Sequence, residues 1–226
     1  MLGKVFTFIL GSDGVNYLRL SIGLFFIILM IGCTQQENTK GNTVENHSPE
    51  QVDEKEQEAE LLTAKETAAQ IVRLLKTEDF VNLSKLIHPS KGVRFTPYGY
   101  IKEESDQIFK QTEVQGIWES ETVLNWGEYD GTGDSIELTF KEYYKRFIYD
   151  ADFENAEEIA VNKQLGQGNS IDNSKEVYPG STIVEFHFPG FDEKYEGMDW
   201  RSLRVVLEQV DGRWYLIGVI HDQWTI

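Results

Sequence analysis

Glu185, His187, His221 and Asp222, all near the C-terminus, are the residues of this chain best suited to proton chemistry. A histidine beside a carboxylate can work as a general base or as a metal ligand. The two pairs lie on separate segments and act together only if those segments are neighbours; otherwise each histidine is a hydrogen-bonded structural residue. A second group, His88, Lys91, Arg94, Tyr98 and Tyr100, falls within "HPSKGVRFTPYGY". Tyrosine faces bury a large area and arginine presents a planar fork of donors, so this stretch could line a pocket for an anion or a sugar ring. Pro89, Gly92, Pro97 and Gly99 permit another reading, a rigid loop with packed aromatics.

Other motifs carry less. Asp130, Asp134 and Glu137 surround a double-glycine turn, but Thr132 and Ser135 stand where a calcium loop needs an oxygen-rich third position and a glycine at the sixth, so a plain hairpin is favoured. "LGQGN" lacks the third glycine and the strand-to-helix setting of a nucleotide loop. There is no Gly-x-Ser-x-Gly elbow. Neither a metal nor a cofactor is expected.

The elements that must position these residues follow from periodicity. Leu61, Ala64, Ala68, Ile71 and Leu75 recur at helical spacing, which predicts an amphipathic helix over Glu58–Lys76. Thr77 is then the expected cap of a second helix with Phe80, Leu83 and Ile87 on one face, ending at His88 before Pro89. Gly92–Ile101 reads as extended, and Lys102–Glu113 as a third helix with Ile108 and Phe109 inward. "NWGEYDGTGDSIELTF" reads as a hairpin, and Phe140–Tyr149 as a helix. Three strands follow, Thr182–Phe188, Leu203–Val210 and Trp214–His221, the last two joined by Asp211-Gly212. In the last strand strict alternation sets Trp214, Leu216, Gly218 and Ile220 against Tyr215, Ile217, Val219 and His221. Apolar residues on both faces make it a central strand. The fold class is α+β, N-terminal helices packed on a curved, mostly antiparallel sheet.

At the other end, the 226-residue chain has one cysteine, Cys33, which excludes an intramolecular disulfide and a multi-cysteine zinc site. It follows Lys4, Arg19 and an uncharged run of 13 residues from Leu20 to Gly32, short of the ~20 residues needed to span a bilayer. "LMIGC" resembles the lipobox of bacterial lipoproteins, with Met30 in place of the usual leucine. The resemblance implies a signal peptide over residues 1–32, removed before a diacylglyceryl-modified Cys33, and a location on the outer face of the bacterial cytoplasmic membrane. Two acyl chains would make that anchoring stable. An uncleaved anchor or an ordinary signal peptide is the alternative.

Residues 34–57 hold only Val44 and Val52 as aliphatics, the composition of a disordered tether, with a reach of about 25–30 Å. Residues 58–226 suit one domain. The net charge is −17, and loss of Lys4, Arg19 and Asp13 with the leader leaves −18, from 19 basic and 37 acidic residues. Nucleic acid is thereby an unsuitable partner, since phosphate neutralisation needs the opposite sign.

The order of helices and long hairpins ending in "GRWYLIGVIHDQWTI" resembles the NTF2-like or cystatin-like cone, a bent sheet wrapped round a helix. "HPSKGVRFTPYGYI", "WGEYDGTGDSIELTF" and "GRWYLIGVIHDQW" are similar to segments of uncharacterised lipoproteins of Gram-positive bacteria. NTF2-like cones hold enzymes, binding modules and assembly domains, so two expectations stand. The first is a lipid-anchored extracytoplasmic domain that binds a protein or small molecule without catalysis. The second is a small-molecule hydrolase, isomerase or dehydratase using His221, Asp222 and His187, with such pairs placed inside the cone.

Overall fold

Burial on the first helix begins at Ala64, and from there Ala68, Ile71, Val72 and Leu75 are sealed in the core, as the spacing requires. The computed structural model describes residues 49–225; Cys33, the leader and most of the tether lie outside them. Helix α1 spans Pro49–Lys76, so it starts nine residues before Glu58. Pro49 occupies the first helical turn, where a missing N–H costs nothing, and the Glu, Gln and Lys that follow have good helix propensity. Glu54–Glu60 are exposed.

Helix α2 is Phe80–Ser84, shorter than expected, and Asp79 caps it by accepting from the Asn82 N–H at 3.0 Å. Thr77 serves α1 instead, its hydroxyl donating back to the Arg73 carbonyl at 3.0 Å. Ile87 and His88 leave the helix because the sheet takes their backbone: the His88 N–H donates to Leu216 O at 2.9 Å. Phe80, Leu83 and Ile87 are all buried.

Strand β1, Val93–Thr96, pairs antiparallel with β2, Gln107–Phe109, followed by the short helix α3, Gln111–Val114. The helix expected over Lys102–Glu113 is therefore a turn, a strand and one helical turn. Asp106 is the reason: its Oδ2 accepts from Thr96 Oγ1 at 2.7 Å and from the Lys102 N–H at 3.2 Å, which folds the segment back. On a strand alternate residues face opposite ways, so Phe109 packs against the core while Ile108 is exposed.

The hairpin forms as expected from β3, Leu124–Glu128, and β4, Ser135–Leu138, in a sheet of its own. Helix α4, Phe140–Phe147, is closed by a reciprocal Thr139/Glu142 capping box. Trp126 stacks on Tyr143 at 3.8 Å between ring centres, which fixes the hairpin to α4. Strand β5, Glu158–Val161, and helix α5, Ser174–Val177, had no clear sequence signal. Strands β6, Thr182–Phe188, β7, Arg201–Val210, and β8, Arg213–Gln223, are the long ones.

The main sheet is open, with order β2-β1-β8-β7-β6-β5, and antiparallel except for the β1–β8 pair. Strand β8 is central, as its two apolar faces require. Asp211 and Gly212 both have positive φ, the type I′ geometry suited to the β7–β8 turn. Helix α1 packs across β6, β7 and β8.

Alternation in β8 fails at one place. Val206 pairs with Gly218 but Leu207 with Leu216, so Ile217 is an extra residue and every side chain beyond it changes face. Trp214, Leu216 and Val219 point to the main core, whereas Ile217 and Ile220 join Val206 and Ile101 in a smaller cluster on the other side. The fold is a mixed α+β domain on a mostly antiparallel, open sheet.

Candidate functional site

The sheet divides the proton-chemistry residues. On the face away from α1, cross-strand pairs place Glu185 beside Arg204 and His187 beside Ser202, with Asp222 opposite Ser202. Arg204 is sealed in, donating from Nη2 to Asp222 Oδ2 at 2.8 Å and to Gly166 O at 3.2 Å, with Glu185 Oε2 3.3 Å from its Nε. Burial works against the guanidinium charge, but Glu185, Asp222 and Asp172 outweigh it and hold its pKa above the ordinary value. Asp222 is pushed up by its burial, which Arg204 only partly offsets.

Glu185 is a clamp. It accepts from the Leu165 N–H at 2.8 Å, the Gly166 N–H at 2.9 Å and Ser202 Oγ at 2.6 Å, and its burial against Arg204 closes the remaining side to substrate. Since the Ser202 proton goes to Glu185, its oxygen accepts from His187 Nδ1 at 2.8 Å. Burial lowers the His187 pKa and keeps the ring neutral. Ser202 is fully buried between the two, so the row His187–Ser202–Glu185 has no exposed nucleophile. The loop above fits tightly: a Cβ at Gly166 would lie 2.5 Å from Trp200, and one at Gly99 2.6 Å from Asp222 Oδ2.

His221 belongs to the opposite face, where the bulge has turned it. Fully buried, it directs Nδ1 to Pro97 O at 3.2 Å and Nε2 to Asp150 Oδ1 at 3.1 Å, and it packs against Phe147. Arg201 Nε holds the other Asp150 oxygen at 2.8 Å. The Asp150 side chain is burdened by burial, yet His221 and Arg201 bring its pKa below the usual carboxylate value. The set His221, Asp222, His187 and Glu185 thus does not converge: neighbours in a strand face opposite ways, and Asp150, absent from the sequence reading, is the carboxylate His221 meets.

The second group is also divided. His88 is buried, its Nδ1 accepting the Ser90 and Lys91 N–H groups at 3.2 and 3.0 Å, a local turn-forming role. Tyr98 and Tyr100 line a cleft of ≈ 420 Å³ beneath the β3–β4 turn, together with Asp106, Trp126, Tyr129 and Asp130. Trp126 is held rigidly at the base by its stack on Tyr143 and by an indole N–H donated to Leu138 O at 2.9 Å. Burial pushes Asp106 up to about 6 despite Thr96, Arg94 and Lys102. Burial likewise raises the Tyr98 hydroxyl, which the Asp130 N–H approaches. Gly131 and Gly133 both have positive φ, which lets the turn curl over the cleft. Asp106 and Trp126 were missed as site residues; only the "NWGEYDGTGD" hairpin signal pointed near them.

Lys91 and Arg94 line a different cleft of ≈ 220 Å³ with Tyr178, Ser181 and Ile217. Of the three acidic residues around the double-glycine turn, Asp130 alone borders the larger aromatic cleft. Among the described residues there is no cluster of three metal-ligating side chains, and no helix long and apolar enough to cross a membrane. The chain matches no protein-family model, no curated protein and no solved structure.

Proposed function

We propose that this chain is a lipid-anchored binding domain, held by Cys33 on the outer face of the bacterial cytoplasmic membrane, and that it receives a small polar ring such as a sugar. The observation that carries the proposal is the cleft beneath the β3–β4 turn, where the tyrosines Tyr98, Tyr100 and Tyr129 stand beside Asp106 and Asp130 over the buried Trp126. Aromatic faces cover the apolar side of a sugar ring, and carboxylates accept from its hydroxyls. As finer architecture we propose the NTF2-like cone, which α1 lying across β6–β8 supports. The hydrolase, isomerase or dehydratase reading draws no support from the described residues, since Glu185, His187, Asp222 and His221 are themselves buried and engaged with other side chains on two faces.

The test is titration of the full chain, in detergent, with glucose and N-acetylglucosamine, followed by tryptophan fluorescence and thermal shift. Either sugar should stabilise the protein, and Tyr98→Ala should remove the effect. Equal responses from the variant and the parent would show that the ligand site lies elsewhere.

A further inference from the structure

Arg94 carries five N–H donors, and its side chain is only 11% exposed. It donates from Nη1 to the Glu103 carbonyl at 3.3 Å, and its ion pair with the outward Glu103 carboxylate is long at 3.8 Å. Beside it the Tyr178 hydroxyl is buried and donates to no acceptor, while Arg94 stands close enough to donate towards it and so lowers its pKa against the larger effect of burial, which leaves it at about 12. The tyrosine is there because residue 218 is glycine: a Cβ on Gly218 would lie 2.8 Å from the Tyr178 oxygen. The β8 bulge adds Ile217 to the same cleft, where Val177, Pro179 and Ile108 supply an apolar wall and Glu103 and Ser181 border it. Lys91 stands at the edge, paired with Glu208.

Two donors without adequate acceptors, above an apolar floor, define a complementary ligand. We infer that the cleft between Arg94 and Tyr178 binds a small carboxylate with a short branched aliphatic stem, a second site separate from the aromatic cleft. Arg94 gives its planar fork to the two carboxylate oxygens, Tyr178 donates its hydroxyl to one of them, and Ile217 and Val177 take the stem. The volume, ≈ 220 Å³, suits a molecule of a few carbons and excludes a nucleotide or a long acyl chain. In a chain of net charge −17 the cleft holds two cations, Lys91 paired with Glu208 and Arg94 in a long pair with the outward Glu103, so a bound carboxylate would compete with Glu103 for Arg94.

The experiment is calorimetric and NMR titration of the full chain in detergent with isovalerate, its neutral isostere isovaleramide, and inorganic phosphate. Isovalerate should bind in the millimolar range, isovaleramide at least about tenfold more weakly, and phosphate more weakly than isovalerate. Tyr178→Phe removes a hydroxyl that donates to no acceptor in the free protein, so its melting temperature should be unchanged or higher while isovalerate affinity falls about tenfold. Arg94→Lys keeps the charge but loses the fork, and should weaken isovalerate similarly. Equal binding of acid and amide, a Tyr178→Phe variant that binds as the parent does, phosphate binding in preference to isovalerate, or no binding of any probe would each overturn the inference. None of these outcomes depends on the sugar titration, so the two sites fail separately.

Discussion

Replacing Asp106 by asparagine should make the domain more stable at neutral pH and leave its stability nearly unchanged in acid. Asparagine keeps the acceptor oxygen that Thr96 Oγ1 and the Lys102 N–H require, so the local turn is preserved. The folded-state value of about 6 lies above the ordinary 3.8 because burial disfavours the ionised carboxyl. A raised carboxyl favours folding only while protonated: that advantage is complete below the unfolded value of 3.8 and is lost as the pH rises through about 6. By pH 7 the parent carries the whole cost of an ionised, half-buried carboxylate, and asparagine carries none. At 1.36 kcal/mol per pKa unit the difference amounts to about 3 kcal/mol, and because the cleft opens to water we expect about 1–3 kcal/mol. Urea unfolding of both proteins from pH 4 to pH 8 measures it. The stability difference should climb between about pH 4 and pH 6 and then level off. A difference that is flat across this range, or a variant that is less stable at pH 7 than at pH 4 relative to its parent, refutes the argument. Asp106 borders the aromatic cleft, so the variant should also bind sugars less well, the usual exchange between stability and a site held in readiness.

Two further outcomes follow from packing and from the leader. Trp214, 9% exposed with its indole N–H donated to Thr63 Oγ1 at 3.0 Å, joins β8 to α1, and Trp214→Ala should cost about 3–5 kcal/mol in urea unfolding; a loss under about 1 kcal/mol would mean that α1 does not depend on it. Cys33→Ala should abolish incorporation of labelled fatty acid and release the protein from the membrane fraction, and persistence of the label would refute the lipid anchor.

Much of the local structure was legible in one dimension because its causes are local. The buried face of α1 follows from the spacing of Ala64, Ala68, Ile71 and Leu75, and the β7–β8 turn from Asp211-Gly212, whose residues tolerate positive φ. Thr182–Phe188 alternates clearly and is a strand with those same ends. The β3–β4 hairpin needed only its double-glycine turn and flanking β-rich runs.

What the tertiary structure decided was where the chemistry stands. No local signal marks Ile217 as an extra residue; its bulge arises only when β8 pairs with β7, and it moves His221 from the Glu185 face to that of Asp150 while bringing Asp222 to the Glu185 face. Asp106 turns Lys102–Glu113 away from a helix through a bond to Thr96, ten residues back, which helical periodicity does not register. Lys91 and Arg94 are parted from Tyr98 and Tyr100 because β1 is flanked by two different walls, the β3–β4 turn on one side and Tyr178 on the other. Residue types and spacing determine which chemistry is possible, but long-range strand pairing and burial determine which of those groups meet, and those depend on contacts that sequence distance does not encode.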